Sequence, residues 1–106
     1  MKFGIFIPQG WRLDLPKDLD PYNQWNLIKK VTLKAEELGY DYILVYDHFH
    51  TVPKPMPNRS VFEAWTLMAS LASITKKIRL GQLVTCVLYR SPAYLAKVSS
   101  VVDVIS

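Results

Sequence analysis

Three short runs of consecutive apolar, strand-forming residues punctuate this chain, and a stripe of helical period follows each of them. The runs are Phe-Gly-Ile-Phe-Ile at 3–7, Tyr-Ile-Leu-Val-Tyr at 42–46, and Ile78 to about Cys86. A strand that is apolar throughout, rather than alternating, has to be covered on both faces, which is the condition of a parallel sheet. Parallel neighbours need a long, right-handed crossover, normally a helix. The chain supplies one after each run. Trp25, Ile28, Val31, Ala35 and Leu38 recur at steps of three and four; Trp65, Met68, Leu71, Ala72 and Thr75 form a second stripe of helical period, and Leu95, Val98, Val102 and Ile105 a third. The reading is α/β, in the order βαβαβα.

Local signals agree with that order. Asp20 before Pro21 and Ser91 before Pro92 each place a capping side chain ahead of a first-turn proline. Ser60-Val61-Phe62-Glu63 matches a capping box, and Gly39 stops the first helix. Pro53, Pro55 and Pro57 make the stretch between the second run and the second stripe a loop. Two architectures satisfy the pattern, a small doubly wound sheet and the opening of a (β/α)8 barrel. At roughly 31 residues per barrel unit, 106 residues amount to three units and a fraction. The stripe also runs to Ile105-Ser106 without a cap, as a truncated barrel would. The expected organisation is one partial barrel domain over residues 1–106.

Composition limits the function classes. Half the residues are hydrophobic and 21% are charged, which excludes a disordered chain. Cys86 is the single cysteine, so no disulfide scaffold exists, and a reduced thiol fits a cytoplasmic protein. The longest uncharged stretch, residues 64–75, has 12 residues against the roughly 20 of a membrane-spanning helix. The N-terminal apolar run is broken by Pro8 and does not make a secretion signal. A formal charge of +4 is spread over scattered basic residues, without the clustered footprint of a nucleic-acid binder. Neither a membrane nor a nucleic acid is an expected partner; a small-molecule substrate is.

Parallel α/β folds bind ligands where their strands end, which directs attention to three exits: Ile7-Pro8-Gln9-Gly10, Tyr46-Asp47-His48-Phe49-His50 and Leu83-Val84-Thr85-Cys86. The second is richest, because it gathers a carboxylate and two imidazoles. Histidine suits proton transfer near neutral pH, and a nearby aspartate biases its charge. Asp47 as a turn cap beside ordinary loop histidines is the competing structural reading. His48 and His50 also form a His-x-His pair of the kind used by metal-dependent hydrolases, although no third ligand is evident. Cys86 reads as a structural thiol. Trp25 and Trp65 fall on helix stripes and read as core, while Trp11 is free to stack on a ring. No glycine-rich phosphate loop occurs.

Taken in order, six blocks resemble the N-terminal part of the bacterial-luciferase-like family, flavin- or deazaflavin-dependent oxidoreductases on a (β/α)8 barrel. They are Lys2-Phe3-Gly4-Ile5-Phe6-Ile7-Pro8-Gln9, Ala35-Glu36-Glu37-Leu38-Gly39-Tyr40-Asp41, Asp47-His48-Phe49, Phe62-Glu63-Ala64-Trp65-Thr66-Leu67-Met68-Ala69, Ile78-Arg79-Leu80-Gly81 and Tyr89-Arg90-Ser91-Pro92-Ala93-Tyr94-Leu95-Ala96-Lys97. The resemblance implies monooxygenase-like hydride or oxygen chemistry on FMN or a 5-deazaflavin of the F-420 type, with the Asp-His pair tilting toward the latter. It implies His48 as the catalytic acid/base, and Asp47 as its orienter and a cofactor contact. It places a non-proline cis peptide at Leu83–Val84, against the back of the ring, with Thr85 and Gln9 lining the mouth. Family members are about three times longer, which implies that this chain lacks the phosphate-binding part of the barrel and is inactive without it. Three strands would leave an apolar face open, so the expected partner is a second copy or a separately encoded remainder of the barrel. A non-catalytic module that self-associates is the alternative.

Overall fold

The computed structural model describes residues 1–106. Its elements follow the order β1 (Gly4–Phe6), α1 (Pro21–Glu37), β2 (Tyr42–Val45), α2 (Ala64–Ala72), β3 (Arg79–Gln82) and α3 (Pro92–Ile105). The sheet has the order β1-β2-β3 with both pairings parallel. Ile5, Ile43 and Leu80 share one level of the register, and Phe6, Leu44 and Gly81 the next.

Strand alternation gives the two faces different fates. Ile5, Ile43, Val45 and Leu80 join Ile28, Ala35, Leu67, Met68, Leu71 and Val102 of the helices in one core. The opposite face, with Phe6, Tyr42 and Leu44, has no layer over it, and Phe6 is exposed. Only 20 of 106 residues are buried, and α3 contributes Val102 alone. The accessible surface is 6961 Å². A closed monomer of 12.2 kDa would expose about 6,100 Å². The excess, roughly 900 Å², matches the ~800 Å² that one partner contributes to a standard protein interface.

The caps explain where helices begin and end. The Asp20 side chain accepts from the Asn23 N–H at 3.0 Å, and that of Ser91 from the Tyr94 N–H at 3.3 Å. Gly39, at φ +81°, turns the chain out of α1 in the left-handed region. Two expectations need correction. Helix α2 starts three residues later than the capping box predicts, with Glu63 as its cap, accepting from the N–H groups of Trp65 and Thr66 at 3.1 and 2.7 Å. The reason lies in Phe62, whose N–H donates to the Gln9 carbonyl and whose carbonyl accepts from the Gln9 amide, so this segment is held extended against the β1 exit. Strand β3 ends at Gln82 rather than near Cys86. Leu83 N–H still reaches the Val45 carbonyl at 2.9 Å, but Cys86 N–H turns to the Asp47 carboxylate.

One ion-dipole staple holds the far end of the sheet. Glu36 Oε1 accepts from three successive backbone N–H groups, those of Lys76, Lys77 and Ile78, at 2.8, 2.7 and 3.0 Å. Burial works to raise the Glu36 pKa, but these bonds outweigh it and the carboxyl is held below its ordinary value.

Candidate functional site

The three strand exits come together at one end of the sheet. At the β1 exit, Gln9 is completely buried (0% exposed). Its amide nitrogen donates to the carbonyls of Tyr46 and Phe62 at 2.7 and 2.6 Å, and its oxygen accepts from Tyr46 N–H at 3.0 Å. Gln9 thus ties the β1 exit to the β2 exit and to the segment before α2. It supports the mouth from beneath and does not line it, contrary to expectation. Asp14 completes the turn by accepting from Gln9 N–H, Gly10 N–H and the Tyr46 hydroxyl. Burial and the Asp14 hydrogen bond raise the Tyr46 pKa, so its phenol stays protonated at any ordinary pH.

Beyond β2 the alternation continues. Tyr46 stands over the open face, its ring 5.7 Å from that of Phe6 and 5.0 Å from that of Trp11. His48 lies flat on Trp11, with centroids 3.8 Å apart and planes at 11°. Burial, and to a lesser extent the charge of His50, hold the His48 pKa below its ordinary value against the opposing pull of Asp47. Its ring is therefore neutral at neutral pH and able to accept a proton.

Asp47 goes the other way, into the helix side. Its side chain is 1% exposed and that of Arg90 6%. The guanidinium binds both carboxylate oxygens, at 2.5 and 2.9 Å, and also reaches Glu63, the cap of α2. Cys86 N–H donates to Asp47 at 2.9 Å. Asp47 was expected to orient His48, but its polar atoms are given to Arg90 and Cys86, and the ring of His48 is positioned by Trp11 instead. Its cofactor-contact role meets the same obstacle, since the carboxylate is enclosed.

At the β3 exit the Leu83–Val84 peptide is cis, at the bond that the resemblance indicated. Both side chains project outward, 54% and 65% exposed. Thr85 donates its hydroxyl to Gln82 Oε1 at 2.6 Å. His50 has its Nδ1 3.1 Å from the Thr51 carbonyl. No group of three or more His, Cys, Asp or Glu side chains could hold a metal ion, so the His48–His50 pair lacks the further ligands a hydrolase centre requires.

Arg90, Glu63, Asp14 and Tyr46 were not singled out as site residues from the sequence. Arg90 stands 43 positions from Asp47, and no local spacing announces such a pair; its only signal is that it falls in one of the six blocks that carry the resemblance. A hollow of about 510 Å³ between Lys76–Leu80 and the end of α3 lies at the opposite, N-terminal end of the strands, the wrong end for a ligand in this class of sheet.

Three parallel βα units in the order β1-β2-β3, with an imidazole, an aromatic stack and exposed apolar side chains at the strand exits, are the architecture of a segment of a (β/α)8 barrel. The chain belongs to the luciferase-like monooxygenase family, whose model matches residues 1–106. It is 34% identical to the pyrimidine monooxygenase RutA of Agrobacterium fabrum and 32% identical to that of Caulobacter vibrioides, in each case over its whole length and 30% of the relative's. Its fold is similar to that of the oxygenating constituent of 3,6-diketocamphane monooxygenase of Pseudomonas putida, a type II Baeyer-Villiger monooxygenase solved with FMN. That likeness has a TM-score of 0.73 at 19% identity and covers 99% of this chain and 26% of the other. The chain thus spans about 30% of the length of the curated relatives it matches. No helix is long and apolar enough to cross a membrane.

Proposed function

We propose that residues 1–106 form the ring-facing part of a flavin-dependent oxidoreductase of the monooxygenase type, with His48 as its proton-handling residue. The observation that carries this reading is the placement of a neutral imidazole on the open face, stacked on Trp11 at the strand exits. The residues present fit a planar, amphipathic ring. Leu83 and Val84 offer exposed apolar surface, and the buried N–H groups of Trp11 and Gln82 lack acceptors within the protein. Leu83, Val84 and Thr85 would hold the ring from the β3 side and His48 from the β2 side, with Gln9 and Asp47 supporting them from within. A bound flavin supplies hydride exchange and dioxygen activation, whereas a 5-deazaflavin supplies hydride exchange alone. FMN is the preferred cofactor because the structural neighbour carries it. The chain's own part is to exclude water from one side of the ring and to accept or return a proton at a nitrogen of His48.

Titration with FMN, and separately with an F-420-type deazaflavin, tests the reading. The expected result is a perturbed absorbance or fluorescence of one ring at high micromolar protein. In any assembly that turns over, His48→Ala lowers turnover more than it weakens cofactor binding. An unperturbed ring, or full activity in that variant, removes the site from the mechanism.

A second reading rests on the roughly 900 Å² of excess surface. It is that the open face is covered in the working protein, by a separately encoded remainder of the barrel or by another copy of this chain. A self-associating, non-catalytic module remains the alternative if neither ring binds.

A further inference from the structure

We infer that Arg90 is a positioning residue for His48: by gripping both oxygens of Asp47, it keeps that carboxylate on the helix side of the sheet and away from the imidazole on the other side. The inference rests on the reading of His48 as the proton-handling residue, but its evidence is separate. The side chains of Arg90 and Asp47 are only 6% and 1% exposed, their contact is two-pronged, and Glu63 and the Cys86 N–H fill the remaining positions around them. Such a cluster is costly to bury and gives little net stability compared with an apolar replacement. Its geometric result is definite. One guanidinium joins the β2 exit to the first turn of α2 and, through Asp47, to the β3 exit.

The charges around His48 make the consequence readable. Asp47 and His50 are the charges that act on it, and the Tyr46 ring lies 6.3 Å away. On the Trp11 side lie Arg12, whose guanidinium is 4.9 Å from the indole, and the Tyr46–Asp14 pair. Behind Asp47 lie Arg90 and Glu63. With Arg90 in place, the pull of the Asp47 carboxylate on His48 is opposed by a guanidinium bound to both its oxygens, and burial keeps the ring's pKa lowered. Without it, two carboxylates stand uncompensated behind the ring and favour its protonated form.

The test is an NMR titration of the His48 and His50 ring resonances in the 106-residue chain and in three variants, Arg90→Gln, Arg90→Lys and Asp47→Asn. Arg90→Gln is expected to raise the His48 midpoint by about one pH unit, a tenfold change in proton affinity. Arg90→Lys keeps the charge but loses the fork, and raises it by less. Asp47→Asn lowers it, and His50 moves least throughout. A role confined to holding the fold together moves neither midpoint in a folded variant. The inference is overturned if the His48 midpoint rises in neither arginine variant; should Arg90→Gln fail to fold, Arg90→Lys alone decides. Because no cofactor enters the measurement, its outcome is independent of whether a flavin binds.

Discussion

Position just beyond β2 decides what each side chain at the candidate site can do. Asp47 and His48 are adjacent in the chain and lie on opposite sides of the sheet, because alternate residues of a strand point to alternate faces. The sequence makes the pair look like a unit, but the backbone points the two side chains apart and Arg90 grips the Asp47 carboxylate on its own side. The Leu83–Val84 cis bond was legible because the resemblance fixes positions along the chain. Arg90 was not, since an ion pair across 43 positions leaves no trace in local spacing. Gln9 shows the same limit, being legible as a strand-exit residue but not as a fully buried one. Its amide satisfies three backbone groups, so Gln9→Leu is expected to cost about 2–4 kcal/mol, measured by urea denaturation. A loss below 0.5 kcal/mol, within the usual range for surface changes, would mean that water replaces the amide.

Among the elements, type and order were readable from period alone, and two of the three helix starts from Asp20-Pro21 and Ser91-Pro92. The boundaries that failed are those set by distant partners. Phe62 is drawn to Gln9, which delays α2, and Cys86 is drawn to Asp47, which ends β3 early. Glu36 acts at this scale too, joining the end of α1 to the turn that enters β3. Glu36→Gln is expected to cost about 2 kcal/mol at neutral pH, because hydrogen bonds to a charged acceptor are replaced by weaker ones. The native pKa of Glu36 lies below 4.5, so its contribution is present above that pH and fades as the pH falls through the lowered value. Denaturation midpoints of the two proteins should therefore differ near pH 7 and converge in acid. A gap that persists in acid would rule out the carboxylate as its source.

For the molecule as a whole, the open face of the sheet dominates. Val84, Val87 and Leu88 after β3, and Tyr94 and Val104 on α3, add further exposed apolar surface. Association is the expected behaviour: sedimentation should give a mass above 12.2 kDa that rises with concentration, and a soluble monomer at millimolar concentration would contradict it. The strand order adds a condition of its own. β1 and β3 each leave one edge unpaired, so identical units can join head to tail. Multiples of three never make eight, however, so repeated copies of this sheet step past the strand count at which the barrel closes. Copies alone would yield a ring of another size or an endless ribbon, and only a complement of five strands seals the circle.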